Sequence, residues 1–445
     1  MISIFWFRRD LRLDDNAGLF RALRGPNPVL PIFIFDKNIL DELPRTDARV
    51  DFLQKTISDL NEKLAVLGST LAVFHGKPDE IWPKILQKYP VAEVYTNHDF
   101  EPYAIERDAQ IARFLAEKNI PFRTFKDHVI FEKNEVLKDD GKPYTVFTPY
   151  SKKWLAKLGS RMVLSENLDK KTEIGSFFLK SYPNQHYFGQ FHKTQKLPCP
   201  TLSELGFRPS GIEIPPISVA RSLVKNYDKT RDFPALDGTS KLGIHFRFGT
   251  ISIREKARAA QFLNATFLNE LIWRDFYSQI MAHFPHVVNS PFREIYDRVL
   301  WRNNDEDFEK WKNGQTGYPL VDAGMRQINA TGFMHNRVRM VVASFLTKHL
   351  LLDWRLGEAY FAEKLLDFDL ASNNGGWQWA AGCGTDAAPY FRIFNPSEQL
   401  KKFDPELKYV KKWVPELGSP EYPMPMVEHV FARERCLSTY KKALG

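Results

Sequence analysis

The sequence has few cysteines, and they are not arranged as a disulfide framework or a metal site. Cys199, Cys383 and Cys436 lie far apart in a chain of 445 residues, with no CxxC pair among them. Such spacing is typical of reduced thiols in a cytosolic protein. We therefore expect free thiols, no metal site and a cytoplasmic location.

The sequence also lacks the usual marks of export and membrane insertion. It begins with the strand-like run ISIFWF at 2–7, and no basic segment precedes an apolar run. A signal peptide is therefore not expected. No uninterrupted apolar stretch reaches the length of a membrane span. We expect no membrane partner.

Positive charge and aromatic side chains, in contrast, are abundant. The formal net charge is +8, and aromatic residues make up 14% of the chain. An excess of positive charge favours a polyanionic partner such as nucleic acid, although many ordinary soluble proteins are also basic. The aromatic content is high enough that some of these side chains are expected to do more than pack.

The first 128 residues alternate strand-like and helical patterns. The short apolar or β-branched runs are 2–7, 29–35, 70–75, 93–96 and 122–125. Helical patterns between them include 49–66 and 105–118. This alternation predicts an α/β domain with a doubly wound parallel sheet of the Rossmann-like kind. No GxGxxG follows the first strand, so the usual dinucleotide fingerprint is absent.

The rest of the chain predicts a connector followed by an all-α domain. Residues 129–200 contain polar clusters and scattered prolines with little periodicity, and we interpret them as a long connector. From 201 to 445 the pattern is helical. Two apolar helical stripes are formed by Leu268, Leu271, Ile272, Phe276 and Ile280, and by Val338, Val341, Val342, Phe345 and Leu346.

The segment 365–381, LLDFDLASNNGGWQWAA, is the most informative part of the chain. Its Asp and Asn side chains can hydrogen-bond a planar polar ring. Its paired glycines allow the backbone to approach such a ring, and its two tryptophans offer large π faces. This combination favours a cofactor site over a purely structural role.

That segment resembles the flavin-binding core of the DNA photolyase/cryptochrome family. Further segments that resemble the family's motifs are WFRRDLRLDDN at 6–16, LNELIWRDFY at 268–277, MHNRVRM at 334–340 and TDAAPYFRIFNP at 385–396. The resemblance extends from the first strand to near the C-terminus and is strongest to class I cyclobutane pyrimidine dimer photolyases. It implies an antenna-chromophore domain at 1–128, a connector at 129–200 and a helical FAD-binding catalytic domain at 201–445.

The resemblance implies that FAD is the cofactor. The matching FAD-contacting positions are Tyr227, Thr239, Ser240, Arg274, Arg339, Asp367, Asp369 and Asn373. Arg339 and Asp367 are expected to pair beside the flavin ring, with Asn373 next to its N5 atom. Asn at this position is typical of photolyases, whereas plant cryptochromes usually have Asp and animal ones Cys. Gly243 stands where many relatives have Ser, which puts the affinity for FAD in question but not its identity.

One helical face carries a second group of candidates. Glu270, Trp273, Arg274 and Tyr277 are spaced i, i+3, i+4 and i+7 and therefore share a face. Spacing alone would favour core packing for Trp273, but a carboxylate on the same face is costly if it is buried without a partner.

The family resemblance implies that this face lines a cavity for a flipped-out pyrimidine dimer. The catalytic positions it implies are Glu270, Trp273, Asn336, Met340, Asn373 and Trp379. Trp273 and Trp379 would clamp the bases, and Glu270 would hydrogen-bond a thymine edge. Photolyases of the (6-4) class resemble one another in having two adjacent His here, whereas this chain has His335 followed by Asn336, which favours the cyclobutane class.

Basic side chains are the expected DNA contacts. Arg231, Arg337 and Arg392 match phosphate-contacting positions of the family, and Trp273 would contact the lesion itself. Lys401 is a further candidate, although Lys401 and Lys402 would ordinarily form a solvated pair. Phosphate contacts of this kind make binding depend on salt.

Two further features rest on the resemblance. Trp301, Trp354 and Trp377 match a relay of three tryptophans from the flavin to the surface, whereas core packing is the ordinary interpretation of such residues. Residues 97–103, NHDFEPY, follow a strand at the edge where open α/β sheets bind ligands. A second, antenna chromophore of the folate or deazaflavin type is a candidate there, and another flavin or no chromophore remain alternatives.

We therefore predict a monomeric photo-lyase that repairs pyrimidine dimers in DNA. Photoexcited reduced FAD would pass an electron to the flipped-out dimer and recover it after the ring splits. One alternative is a cryptochrome-type flavin photoreceptor without repair activity, and another is a nucleic-acid-binding protein that does not use light. Asn373 and the complete set of lesion-contacting residues favour repair.

Overall fold

The computed structural model describes residues 1–160, 162–164 and 174–445. These form two compact units. Unit 1 comprises Met1–Glu135, Trp154–Ile217 and Leu242–Phe262. Unit 2 comprises Val136–Lys153, Ser218–Lys241 and Leu263–Gly445.

Unit 1 contains the predicted parallel sheet. Its strands are β1 (Ile2–Phe7), β2 (Val29–Asp36), β3 (Ala72–Gly76), β4 (Val91–Asn97) and β5 (Phe122–Phe125). They are all parallel, in the order β3-β2-β1-β4-β5. The chain therefore winds outward in both directions from β1, as in a doubly wound fold. A separate antiparallel pair is formed by β6 (Met162–Leu164) and β7 (Ile174–Ser176).

Both faces of the sheet are covered, and this explains the continuous apolar runs of its central strands. In β1, Phe5 and Phe7 pack in one apolar cluster, whereas Ile4 and Trp6 pack in another. Because successive side chains of a strand point to opposite faces, the two clusters lie on the two sides of the sheet. Every residue of β1 is buried, as expected for a parallel sheet between helical layers.

Helices make up most of the remaining regular structure. In chain order they are α1 (Ala17–Leu23), α2 (Lys37–Leu40), α3 (Ala48–Val66), α4 (Pro78–Lys88), α5 (Pro102–Glu117), α6 (Phe147–Gly159), α7 (Arg221–Lys225), α8 (Tyr227–Thr230), α9 (Gly243–Phe248), α10 (Ile253–Leu263), α11 (Ala265–His283), α12 (Asp305–Lys312), α13 (Pro319–Thr331), α14 (Asn336–Ser344), α15 (Trp354–Lys364), α16 (Leu370–Ala381), α17 (Pro396–Phe403), α18 (Lys408–Trp413) and α19 (His429–Leu444).

The helical core of unit 2 is built on the two predicted stripes. The stripe on α11 is buried at each of its five positions. The second stripe begins on α14 and continues into a π-helical turn at Phe345–His349, where Phe345 and Leu346 are fully buried. The fold class predicted from sequence is thereby confirmed.

The boundaries of the elements differ modestly from those expected. β1 and β5 have the predicted bounds, whereas β3 and β4 are displaced or extended by about two residues. Residues 129–200 contain α6 and the strands β6 and β7, and residues 136–153 belong to unit 2. The functional division of the chain at 128 and 200 stays a prediction.

Candidate functional site

The helix α16 presents an amide and an open stretch of backbone on one face. The side chain of Asp369 caps its first turn by accepting from the backbone N–H of Ser372 at 3.2 Å. Asn373 donates its Nδ2 to the backbone oxygen of Glu358 at 3.1 Å, and no described residue donates to its Oδ1. A Cβ added at Gly376 would meet nothing within 4 Å. An acceptor oxygen and accessible backbone therefore lie three residues apart on one helical face.

Neighbouring amides hold α16 in place. Asn374 donates its Nδ2 to the backbone oxygen of Val287 at 2.9 Å and to Glu358 Oε1 at 3.1 Å. Gln378 donates its Nε2 to Val287 O at 2.9 Å and to Asn374 Oδ1 at 3.1 Å. Burial raises the pKa of Glu358 to about 7. This network joins α15 to α16 and thereby fixes the direction of Asn373.

The structure brings Arg339 and Asp367 together. Arg339 Nη2 lies 3.1 Å from Asp367 Oδ1 and 2.9 Å from Oδ2, and its Nε donates to the backbone oxygen of Met334 at 2.7 Å. The two side chains are 24% and 22% exposed, so the pair is half-buried in the free protein. Three acceptor atoms hold the guanidinium of Arg339 in a defined orientation.

The remaining flavin-contact candidates occupy two segments of unit 2. Tyr227 begins α8 and packs edge-on against Phe267 with 5.1 Å between ring centroids, while Thr239 and Ser240 are half-buried in the bend after Gly238. A Cβ at Gly238 would lie 2.6 Å from Thr230 Cβ, so this close approach requires glycine. Arg274 is half-buried on α11.

The candidate lesion face is on α11, where Glu270, Trp273 and Tyr277 are half-buried. Phe147, at the start of α6, stacks on Trp273 with a centroid separation of 3.6 Å and an interplanar angle of 3°. Tyr277 stacks on Trp273 less closely, at 5.4 Å and 30°. A close contact of Tyr277 with Gly375, where any Cβ would collide with the ring, brings α11 next to α16.

Glu270 is paired in the free protein. Arg231 donates from Nη1 to Glu270 Oε1, which joins two residues that the sequence assigned to different tasks. The Arg231 side chain is 21% exposed and that of Glu270 is 31% exposed. Both groups are therefore accessible to a ligand that could replace either partner.

The first two turns of α14 carry the other lesion candidates. Asn336 is exposed and Met340 is half-buried. Arg337 Nη1 lies 3.6 Å from the sulfur of Met340, and its Nη2 donates to Asp232 Oδ1 at 2.7 Å.

His335 caps the same helix. It accepts from the backbone N–H of Arg337 on Nδ1 at 3.2 Å. Burial, with Arg339 nearby, lowers the pKa of His335 to about 4, so the imidazole is neutral at neutral pH.

Arg392 and Lys401, two of the DNA-contact candidates, are solvent-exposed, whereas the lesion candidate Trp379 is half-buried. Trp379 on α16 lies 6.3 Å from Phe394. Arg392 is exposed in the following loop. Lys401 is exposed on α17 and pairs with Glu398 at 2.8 Å, an arrangement typical of a solvated helix surface.

The three relay candidates pack in the core of unit 2. Trp354 and Trp377 are 1% and 2% exposed, whereas Trp301 is half-buried. Gly357 on α15 allows the indole of Trp377 to lie against the helix backbone. A fourth tryptophan, Trp311, lies 6.1 Å from Trp377 at an angle of 71°.

In unit 1, the segment after β4 is bound to the segment after β1. Arg9 Nη1 lies 3.0 Å from Asp99 Oδ1 and 2.8 Å from Glu101 Oε1. Although burial opposes ionisation, Arg9 and the neighbouring cations hold the pKa of Asp99 well below its usual range. These charged groups lie where the winding of the sheet reverses.

Comparison with known proteins identifies the family. The family model described as DNA photolyase matches residues 3–169, and that described as FAD binding domain of DNA photolyase matches residues 267–421. A deoxyribodipyrimidine photo-lyase from Synechococcus is 36% identical over 99% of this chain and 96% of its own length. A deoxyribodipyrimidine photo-lyase from Escherichia coli is 36% identical over 99% of this chain and 98% of its own length. The chain belongs to the DNA photolyase family.

Solved structures agree with this assignment. A class III photolyase from Agrobacterium tumefaciens has a TM-score of 0.84 and 31% identity, covering 99% of this chain and 97% of its own. An archaeal photolyase from Sulfolobus tokodaii, described with two FAD molecules, has a TM-score of 0.78 and 35% identity over 99% and 100%. A Synechocystis cryptochrome has a TM-score of 0.82 and 25% identity over 98% and 99%.

The protein is therefore a photo-lyase, an enzyme of DNA repair, and it contains an FAD-binding domain. The donor set of unit 2 fits a flavin: Asn373 offers an acceptor oxygen, Gly376 leaves room for a ring, and Arg339 and Asp367 form an adjacent charged pair. Among the described residues, no helix is long and apolar enough to span a membrane.

Sequence reasoning missed three residues that contact the candidate site residues Trp273, Arg337 and Asn373. Phe147 lies in a stretch with little periodicity, so no local pattern pointed to it. Asp232 is adjacent to Arg231, and only its charge could have drawn attention. Glu358 follows Trp354 by four residues, and this spacing would have placed both side chains on one face of a helix.

Proposed function

We propose that this photolyase repairs cyclobutane pyrimidine dimers in DNA, using a lesion site formed by α11, α14 and α16. The supporting observation is the contact of Tyr277 with Gly375, which brings the Glu270–Trp273 face beside the helix that carries Asn373. A dimer on Trp273 would then lie close to a flavin held at Asn373.

The state of His335 favours the cyclobutane lesion over the (6-4) photoproduct. Repair that needs a protonated imidazole as a general acid is disfavoured here, since the pKa of His335 is lowered to about 4. Its Nδ1 is also used to cap α14. Splitting a cyclobutane ring requires electron transfer, for which a neutral histidine suffices.

Bound FAD would supply the light-driven electron and take it back after the ring splits. Trp273, supported by Phe147, would stack on an extruded base, and photolyases belong to the enzymes known to take their target base out of the duplex. Glu270 would hydrogen-bond a thymine carbonyl or N–H, and in its protonated form it would donate to the edge where negative charge develops. Asn373 would accept a hydrogen bond at the flavin, and Met340 and Asn336 would complete the pocket wall.

Further assignments complete the proposal. Arg231, Arg337 and Arg392 contact phosphates, with Lys401 at the periphery. Tyr227, Thr239, Ser240, Arg274, Arg339, Asp367 and Asp369 hold FAD, and Trp301, Trp354 and Trp377 carry electrons to it from the surface. Residues 1–128 hold a second chromophore. The Sulfolobus photolyase, which is described with two FAD molecules, supports this assignment. We also propose a cytosolic monomer, and assignment to class I rests on the sequence motifs alone.

The decisive experiment illuminates the chemically reduced, FAD-loaded protein with an oligonucleotide that contains one thymine dimer. Restored thymines, counted by chromatography and absent in the dark control, are the expected result. A flavin-loaded protein that binds the oligonucleotide but restores no thymine would favour the alternative of a cryptochrome-type photoreceptor. A (6-4) substrate tests the proposed lesion class, and efficient repair of that substrate would contradict it.

A further inference from the structure

Arg337 is a poorly satisfied cation in the free protein. Its Nη2 donates to Asp232 Oδ1 at 2.7 Å, its guanidinium lies 4.5 Å above the ring centroid of Phe403, and its Nη1 meets the sulfur of Met340. Its Nε is buried and has no hydrogen-bond partner among the described residues. The carboxylate of Asp232 is thus its principal charge partner.

That partner is accessible and replaceable. The Asp232 side chain is 40% exposed and that of Arg337 is 20% exposed. Because the pair is partly exposed, another anion of similar geometry can reach the guanidinium and take the place of the carboxylate. A DNA phosphate is such an anion, because its oxygens accept from a guanidinium as a carboxylate's do.

The Asp232–Arg337 pair lies beside side chains that are proposed to contact the lesion. Arg337 contacts Met340, the side chain proposed to pack against the extruded bases, and follows Asn336 on the same turn. A strand whose bases are drawn into this pocket would bring a phosphate close to the Arg337 guanidinium. The bases of an intact duplex are not extruded, and the exposed carboxylate of Asp232 would repel its nearest phosphates.

We propose that Asp232 is a specificity-determining residue that neutralises Arg337 in the free protein and on undamaged DNA, and releases it to a phosphate when a dimer is bound. This inference rests on the proposed function, since it requires a lesion to enter the pocket. The adjacent pair of Arg231 with Glu270 shows the same organisation, in which a cation assigned to phosphate is held by an acid until substrate arrives.

Salt dependence of binding distinguishes the two states of Arg337. Each phosphate neutralised adds about 0.9 to the magnitude of the slope of log affinity against log salt. In Asp232→Asn, we expect the slope on undamaged duplex to steepen by about one unit and the affinity to rise about fivefold to tenfold near 0.1 M salt. On dimer-containing duplex the slope should remain that of the wild type, because Arg337 already contacts a phosphate there.

Two variants make the test selective. Asp237→Asn removes the same charge from the same segment, where Asp237 pairs with Lys241 at 2.8 Å and is 80% exposed, and should leave both slopes unchanged. Asp232→Asn in an Arg337→Ala background should also leave the undamaged-DNA slope unchanged. Flavin absorbance and a thermal melt of each variant establish that it is folded, and Asp232→Ala repeats the measurement if the Asn variant is unstable.

The outcomes separate this inference from the proposed function. Equal steepening on both duplexes, no steepening on either, or an effect that persists without Arg337 would overturn the role of Asp232. A wild-type protein that neither prefers nor repairs dimer-containing DNA would instead overturn the proposed function.

Discussion

Phe147 and Trp273 are stacked face to face, with 3.6 Å between ring centroids and 3° between their planes. The two residues are 126 positions apart in sequence, and Phe147 is 6% exposed. Phe147 therefore covers one face of the indole proposed to hold the lesion. The stack prevents Trp273 from rotating and leaves less of its surface to be ordered when a base arrives.

Replacing Phe147 by Leu should weaken binding of dimer-containing DNA more than binding of undamaged DNA. Loss of a buried aromatic pair should also lower the free energy of unfolding by about 1 to 2 kcal/mol. Fluorescence anisotropy on both duplexes and a thermal melt measure these effects. Phe262→Leu, at a position that is 65% exposed, is the matched control. An unchanged preference for the dimer would show that Trp273 needs no support from Phe147.

Replacing Asp367 by Ala should weaken FAD binding, because it removes the carboxylate that orients Arg339. A hydrogen bond between charged groups contributes about 1.5 to 3 kcal/mol, which corresponds to a rise in Kd of roughly tenfold to a hundredfold. Retention of flavin absorbance during dialysis, followed by titration of the apoprotein, measures this change. Asp367→Asn, which keeps an acceptor oxygen, should lose less, and full FAD occupancy in the Ala variant would contradict the assignment.

Replacing Glu270 by Ala should lower the repair yield without lowering affinity for undamaged DNA. The yield should fall roughly fivefold if about 1 kcal/mol of stabilisation at the thymine edge is lost. Affinity should not fall, since Arg231 is released from its ion pair with Glu270. Repair per absorbed photon is measured in saturated complexes, beside anisotropy on undamaged duplex. Equal yield in saturated complexes would remove Glu270 from the catalytic residues.

Replacing Trp354 by Phe should block photoreduction of oxidised flavin by an external reductant. Phe preserves much of the buried ring volume, so packing should change little. Because Phe is harder to oxidise than Trp, the electron hole left on Trp377 cannot move outward and should recombine with the flavin electron. Repair by chemically pre-reduced protein should persist. Trp311→Phe is the informative comparison, because Trp311 lies 6.1 Å from Trp377 and offers another route. Normal photoreduction in the Trp354 variant, with loss in the Trp311 variant, would relocate the relay.

Glu358 should make the stability of the apoprotein fall as the pH rises from about 5 to 7. Burial raises its pKa to about 7 in the folded state, against an ordinary value of 4.5, with Arg355 and Asp353 as its nearest charges. Between these values the folded state binds more protons than the unfolded state, so the free energy of unfolding decreases as pH increases.

Glu358→Gln should abolish most of this dependence and stabilise the protein at pH 8 by about 1 to 3 kcal/mol. The Gln side chain retains an oxygen that can accept from Asn374, so the contact with α16 is preserved. Urea unfolding of the wild type and of this variant at pH 5.5 and pH 8 measures the difference. Equal pH dependence in the two proteins would show that Glu358 does not titrate in this range.

Local sequence patterns were sufficient for much of the fold. The runs that became β1 and β5 have the predicted bounds. In β1 the run is continuous because a strand buried on both faces is apolar along its whole length, whereas β5 is an edge strand with Arg123 and Thr124 exposed. The stripes on α11 and α14 were also visible, because a helix repeats its buried face every three to four residues. The Asp, Asn, Gly and Trp residues of 365–381 favoured a cofactor site, and the family resemblance implied that this cofactor is FAD.

The sequence by itself thus determined the elements, the family and most candidate side chains, whereas tertiary structure alone decided which of them meet. Phe147 reaches Trp273 across 126 residues, and Asp232 reaches Arg337 across 105. No helical or strand period links residues so far apart, because their approach depends on how whole helices pack. The pairing of Arg231 with Glu270 has the same origin: residue type shows that each charge needs a partner, but only the packing of α8 against α11 selects the partner.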